Sequence, residues 1–123
     1  MTSMPRLLVI DDEQEVNDYL KEFFQRHGVE VLTAASGEEG LALLVSSNPS
    51  LVLLDIRLGR GLNGMDVLRQ AREGGVRSEV IMLTAMEDRA TAETAKRLGA
   101  TDYITKPFIL EELERVVLSH LKV

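Results

Sequence analysis

Short apolar runs alternate with longer amphipathic stretches along this chain. Two of the runs, Val29–Thr33 and Tyr103–Thr105, are alternating or short, which is typical of strands at the edge of a sheet. Three runs are continuously apolar, as expected of parallel strands that are covered on both faces: Leu7–Ile10, Leu51–Leu54 and Val80–Leu83. The pattern therefore predicts five strands, and the three continuous ones are central.

Apolar residues recur at helical spacing after each strand, so each strand is predicted to lead into a helix. The second helix is predicted to begin at the capping-box sequence Ser36–Glu39, and the fourth to cover Glu87–Leu98. The apolar positions of the other helices are Val16, Leu20, Phe23 and Phe24, then Val67, Leu68 and Ala71, and finally Leu110, Leu113, Val116, Val117 and Leu121. Five strand–helix units predict an α/β fold, a doubly wound parallel sheet in the order 2-1-3-4-5 with helices on both faces.

Polar residues stand at the carboxyl ends of the predicted strands. Folds of this kind bind ligands outside those ends, where the strand order reverses, which here is between the first and third strands. The first strand ends in Asp11, Asp12 and Glu13, and the third ends in Asp55. The fourth ends in Thr84, and the fifth ends in Lys106 and Pro107. The carboxylates of the three aspartates, a hydroxyl and an ammonium are therefore expected to meet in one crevice.

Clustered carboxylates repel one another and require a compensating cation. A small set of oxygen ligands suits Mg²⁺, and no histidine or cysteine lies near these acids in sequence to favour zinc. With a cation bound, one aspartate can approach a phosphoryl group and act as a nucleophile, which forms an aspartyl phosphate. Thr84 can then donate a hydrogen bond to a phosphoryl oxygen, and Lys106 can neutralise another.

Composition narrows the class of protein. With 123 residues, 45% of them hydrophobic, the chain suits one domain, which we expect over residues 6–123 after a tail of residues 1–5. No cysteine is present, which excludes disulfide frameworks, and the net charge of −6 argues against nucleic-acid binding by this domain. No apolar stretch approaches the roughly 18 residues of a membrane span, and Met1–Pro5 lacks the features of a signal peptide. A cytoplasmic location, away from membranes, is expected.

Four motifs, in order and each at a strand end, are Ile10–Glu13, Leu54–Leu58, Leu83–Ala85 and Asp102–Phe108. Together they make the chain resemble, over essentially its whole length, the receiver (phosphoacceptor) domain of two-component response regulators. The resemblance implies the flavodoxin-like (βα)5 receiver fold. It also implies a signalling module rather than an enzyme, in which self-phosphorylation and autodephosphorylation are the only expected catalysis.

The resemblance also implies roles for single residues. Asp55 is the expected phosphoacceptor. Asp12 and Asp55 are expected to ligate Mg²⁺ directly, Asp11 through water, and Arg57 through its backbone carbonyl.

Further roles follow for the phosphoryl group and the switch. Thr84, with Ala85 beside it, and Lys106 are expected at the phosphoryl oxygens. Tyr103 is expected to be the rotating aromatic side chain that is coupled to Thr84. A cis peptide bond is expected between Lys106 and Pro107.

The expected partners are a histidine kinase or a histidine phosphotransfer protein, which donates the phosphoryl group. The face formed by the fourth helix, fifth strand and fifth helix is expected to transmit the signal to an output domain or a downstream protein. A second copy of the chain, in a homodimer that forms on phosphorylation, is a further candidate partner.

One stretch departs from the family pattern. Gly59 stands where the family commonly has proline, and one extra residue precedes Asn63 and Gly64, so this loop is expected to be more flexible.

Other functions remain as alternatives. The nearest is a receiver-like module that signals by constitutive protein contacts without phosphorylation. A haloacid-dehalogenase-type phosphatase also forms an aspartyl phosphate, but it needs a second aspartate where this chain has Arg57, and no cap insertion is present. A flavin module is poorly supported by three Phe, two Tyr and no Trp, and no Gly-x-Gly-x-x-Gly follows the first strand to bind a nicotinamide.

Overall fold

The computed structural model describes residues 4–122, so residues 1–3 of the predicted tail and Val123 lie outside the described part. Its elements in chain order are β1 (Arg6–Ile10), α1 (Gln14–Gln25), β2 (Glu30–Ala34), α2 (Gly37–Ser47), β3 (Leu51–Asp55), α3 (Gly64–Glu73), β4 (Glu79–Ala85), α4 (Arg89–Arg97), β5 (Asp102–Lys106) and α5 (Leu110–Leu121). The strands form one parallel sheet in the order β2-β1-β3-β4-β5. This confirms the predicted fold class and strand order, with β2 and β5 at the edges.

The core has two layers because alternate residues of a strand point to opposite faces of the sheet. In β1, Leu7 and Val9 pack with α1 and α5, whereas Leu8 and Ile10 pack with α2, α3 and α4. Every residue of β3 is buried. Continuous apolar runs are what such doubly covered strands require. No helix within residues 4–122 is long and apolar enough to cross a membrane.

The structure differs from the prediction at β2 and before α4. β2 covers Glu30–Ala34 rather than the predicted Val29–Thr33, because these five residues pair one by one with the five residues of β1. The fourth helical stretch is divided, because Met86–Asp88 form a 3₁₀ turn and α4 begins only at Arg89. Asp88 has φ −101° and ψ 19°, outside the α-helical range, so the two helical pieces are not continuous.

The helix N-termini also differ in detail. At α2 the Ser36 hydroxyl accepts from the backbone N–H of Glu39, as the sequence predicts, at 3.1 Å. The Glu39 carboxylate, however, accepts from the N–H of Ala35 at 2.9 Å rather than from that of Ser36. The full capping box lies at α3 instead, where Asn63 and Asp66 each accept the other's backbone N–H. It fixes the start of α3 directly after the loop that follows β3.

Candidate functional site

Three aspartates meet at the carboxyl ends of the two neighbouring strands β1 and β3. Asp11 and Asp12 directly follow β1, and Asp55 is the last residue of β3. One carboxylate oxygen from each lies within 4.8 Å of the others. Asp11 is fully buried, Asp55 is 8% exposed, and Asp12 is exposed. The strand order therefore brings the three predicted acids together, with two below the surface and one open to solvent.

Lys106, the last residue of β5, supplies the positive charge of the crevice. Its Nζ donates to Asp11 Oδ2 at 2.6 Å and to Asp55 Oδ2 at 3.0 Å, and it lies 3.8 Å from Glu13 Oε1. Burial alone would lower the pKa of the Lys106 ammonium, but its hydrogen bonds to the two aspartates outweigh this and raise it. A single ammonium is thus shared by two buried carboxylates.

The shared ammonium leaves Asp55 incompletely compensated. Burial raises the pKa of the Asp55 carboxyl above its ordinary value, and Lys106 offsets this only in part. The backbone N–H of Arg57 donates to Asp55 Oδ1 at 3.0 Å and favours the ionised form. Asp55 is therefore held in one orientation while its charge remains costly, which favours the approach of a further cation.

Backbone and side-chain donors also hold Asp11. Its Oδ1 accepts from the N–H of Glu13 at 2.9 Å. The buried side chain of Asn17 donates from Nδ2 to the carbonyls of Asp11 at 2.8 Å and Ala34 at 3.1 Å, which ties the ends of β1 and β2 together. The sequence analysis did not single out Asn17. The available signal was an amide next to Val16 on the apolar side of α1.

The residues present fit a hard divalent cation. All side-chain donors are carboxylate oxygens, and three such charges face one ammonium. Gly59 adopts φ +62°, and a Cβ built there would lie 3.1 Å from Asp12 Oδ2, so this glycine leaves room for the Asp12 carboxylate. Three protein carboxylates with one side open to solvent suit Mg²⁺, which retains several waters.

The predicted switch residues lie on β4 and β5. Thr84 is buried, and its hydroxyl donates to the carbonyl of Ala85, the next residue, at 3.1 Å. Ala85 pairs with Lys106 across the two strands. The Tyr103 hydroxyl donates to Glu93 Oε1 on α4 at 3.2 Å rather than to Thr84. Lys106 is joined to Pro107 by a cis peptide bond.

The sequence matches the family model of the response regulator receiver domain over residues 7–118. The chain belongs to this family. Among curated relatives, Regulatory protein AtoC of Escherichia coli (strain K12) is 38% identical over 117 residues, which cover 95% of this chain and 25% of that protein. The Alkaline phosphatase synthesis transcriptional regulatory protein PhoP of Bacillus subtilis (strain 168) is 35% identical over 95% of this chain and 48% of its own length. The receiver domain described here thus spans a quarter to a half of these two relatives.

Solved structures give the same family. The Francisella response regulator 1452 receiver domain matches with a TM-score of 0.87 and 29% identity, over 96% of this chain and 97% of that one. The receiver domain of NtrX from Brucella abortus matches with a TM-score of 0.86 and 33% identity, over 95% and 98% of the two chains. The resemblance read from the sequence is confirmed at the level of family and fold.

The loop after β3, where this receiver domain departs from the family pattern, contacts two neighbouring elements. The Arg57 guanidinium forms a two-pronged ion pair with Asp88, with both N–O distances 2.7 Å. The carboxylate of Glu38, in the first turn of α2, accepts from the N–H of Leu62 at 3.1 Å. Together with the capping box at Asn63, these contacts hold a loop that the sequence indicates is flexible. Nothing in the local sequence marks Glu38 or Asp88 as partners of this loop.

Proposed function

We propose that this receiver domain accepts a phosphoryl group on Asp55 in the presence of Mg²⁺, from a histidine kinase or a histidine phosphotransfer protein. One observation carries the proposal: three carboxylates have oxygens within 4.8 Å of one another, and the one ammonium beside them, that of Lys106, bonds to only two of them, Asp11 and Asp55. A packed core gains nothing from such an excess of like charge. A site that receives a cation and a phosphoryl group does.

Asp55 acts as the nucleophile. One of its carboxylate oxygens bonds to phosphorus, while the bond between phosphorus and the leaving group breaks and its electron pair stays with that group, a histidine nitrogen in the protein donor. The carboxylate must be ionised for this attack. Lys106 and the N–H of Arg57 favour the ionised form against the effect of burial on the Asp55 pKa.

Asp12 and Asp55 would hold Mg²⁺ directly, Asp11 would hold it through water, and the backbone carbonyl of Arg57 would complete the protein ligands. When bound, the ion withdraws negative charge from the phosphoryl oxygens. Lys106, which now bonds to Asp11 and Asp55, neutralises one phosphoryl oxygen after transfer. Each of these residues stands at a strand end that borders the crevice.

The signal passes through Thr84 and Tyr103. The Thr84 hydroxyl gives up its hydrogen bond to the Ala85 carbonyl and donates to a phosphoryl oxygen instead. Thr84 and Ala85 both line the phosphoryl group. Tyr103 then leaves Glu93 and turns inward, which changes the face formed by α4, β5 and α5.

That face acts on an output domain or a downstream protein, or on a second copy of the chain. In this role the domain acts in the cytoplasm and itself binds neither nucleic acid nor a membrane. Its relatives AtoC and PhoP are named as regulatory proteins and extend well beyond the region matched here, which supports an output elsewhere in a longer chain.

Intact mass spectrometry after incubation with acetyl phosphate and Mg²⁺ tests the proposal. We expect one added phosphoryl group in the wild type and none in Asp55→Asn, and the matched control Asp18→Asn, an exposed aspartate of α1, should be modified normally. EDTA should abolish the adduct. An adduct in Asp55→Asn would mean that another residue is the nucleophile. If the wild type shows no phosphoryl adduct at all, signalling by constitutive contacts would be favoured.

A further inference from the structure

The side chain and the backbone of Arg57 face different partners. Its N–H donates to Asp55 Oδ1, whereas its guanidinium donates to both carboxylate oxygens of Asp88, immediately before α4. The Arg57 side chain is 67% exposed and the Asp88 side chain only 12%. A single residue thus joins the phosphoacceptor strand to the beginning of α4, through a side chain that is largely open to solvent.

Asp88 occupies the N-cap position of α4, yet its side chain accepts no hydrogen bond from the helix. Aspartate is among the preferred residues at this position because its carboxylate accepts the backbone N–H of the second or third helical residue, here Ala90 or Thr91. Both Asp88 oxygens are instead bonded to Arg57. The ion pair and the helix cap therefore compete for the same carboxylate.

We propose, on the basis of the proposed phosphorylation of Asp55, that Arg57 is a phosphoryl-binding residue that exchanges Asp88 for the phosphoryl group. The released Asp88 carboxylate then caps the N-terminus of α4. Phosphorylation of β3 is thereby transmitted to α4 by a path separate from Thr84 and Tyr103. The exchange breaks no covalent bond and requires no additional reactant.

The charges of the site favour this exchange. A phosphoryl group on Asp55 carries more negative charge than the carboxylate it replaces and presents several oxygens, which guanidinium binds in pairs. Asp88 raises the pKa of the Arg57 guanidinium, and the charge of Asp55 adds to this effect, so Arg57 already lies within the field of the phosphoacceptor. The Arg57 side chain of this ion pair is largely exposed, which limits the cost of losing the pair, and the new cap on α4 offsets that cost.

Titration with the beryllium trifluoride anion in excess Mg²⁺ tests the exchange, because this anion binds a carboxylate oxygen as a reversible phosphoryl mimic. The 123-residue chain is titrated as wild type, Arg57→Met, Arg57→Met with Asp88→Ala, and Arg60→Met. Arg60 lies in the same loop and forms no ion pair among the described residues, so it controls for net charge. The amide resonance of Thr91 reports capping of α4.

We expect Arg57→Met to bind the mimic about fivefold or more weakly than wild type, the equivalent of one helix cap, while Arg60→Met stays within about twofold. Before any mimic is added, the Thr91 amide of Arg57→Met should already have the shift that wild type reaches when bound. The double variant should match Arg57→Met in affinity and lose that shift, because Asp88 acts only through Arg57 and the cap.

Three results would overturn the exchange while leaving Asp55 as phosphoacceptor. The first is an affinity of Arg57→Met equal to that of Arg60→Met. The second is a Thr91 amide in unbound Arg57→Met that keeps the wild-type unbound shift. The third is a double variant that binds differently from Arg57→Met. If wild type itself fails to bind the mimic and is not modified by acetyl phosphate, the proposed function fails, and the exchange fails with it.

Discussion

Replacing Lys106 with methionine removes the ammonium of the crevice while retaining a stem of similar length. In the absence of metal, Asp11 and Asp55 then lose the cation they share, at 2.6 and 3.0 Å. Their side chains are 0% and 11% exposed, so water replaces the ammonium poorly. We therefore expect Lys106→Met to destabilise the metal-free protein.

The magnitude follows from the burial of the three groups. Removing one member of a buried ion pair costs roughly 3–5 kcal/mol. The Lys106 side chain is 20% exposed and Asp12 opens the site to solvent, so we expect a smaller loss, about 2–3 kcal/mol. For a domain of this size the loss corresponds to a Tm lower by about 8–12 °C.

Urea unfolding at pH 7 in EDTA, followed by circular dichroism, measures the loss. The control is Lys21→Met, an exposed lysine of α1, which should unfold with wild type. Adding Asp55→Asn to Lys106→Met should recover part of the loss, since one uncompensated charge is removed. Mg²⁺ should reduce the difference in free energy of unfolding between Lys106→Met and wild type, because the crevice of the variant is more negative and binds the cation more tightly.

The pH dependence gives a second check on the sign. The pKa of Lys106 is raised on folding, so its contribution is fully present below the pKa of an unfolded lysine and is lost as the pH rises through the raised value. The loss of stability in Lys106→Met relative to wild type should therefore be present at pH 7 and become smaller at strongly alkaline pH. A Lys106→Met protein that unfolds at the same urea concentration as wild type in EDTA would refute this reasoning.

Three further predictions concern stability. Asp12→Asn should raise metal-free stability by about 1 kcal/mol, because two like charges within 4.8 Å of each other repel by about this amount in water, and calorimetry in EDTA should show a higher Tm. The pKa of Asp55 is raised on folding, so its contribution to stability is present below the unfolded pKa and lost as the pH rises through the folded one. The Tm of Asp55→Asn in EDTA should therefore exceed that of wild type by an amount that grows from about pH 4 upward. A difference in Tm that stays constant with pH would contradict the raised pKa of Asp55. Asn63→Ala removes the α3 cap and should cost about 1 kcal/mol in urea unfolding, whereas no loss would mean that the loop holds α3 without it.

The crevice was predictable because it depends on strand order. An acid that ends a continuously apolar strand is recognisable in sequence, and parallel strands place all such ends at one edge. Asp11, Asp12 and Asp55 could therefore be placed together before their distances were known. Lys106 could be placed at the same edge for the same reason, since it ends β5.

The individual bonds were not predictable, because they depend on where long side chains reach in three dimensions. Lys106 bonds to carboxylates 95 and 51 residues away, and Arg57 bonds to Asp88 across 31 residues. Local secondary-structure propensity gives no information about these long-range contacts.

The most direct test of the account identifies the residue that carries the phosphoryl group. Borohydride reduces an aspartyl phosphate to homoserine, which survives digestion and can be located by tandem mass spectrometry. After acetyl phosphate and Mg²⁺, we expect homoserine at position 55 alone, with unmodified aspartate at positions 11 and 12. Homoserine at Asp11 or Asp12, or none at position 55 in a sample whose intact mass shows the adduct, would contradict the assignment of Asp55 as the phosphoacceptor.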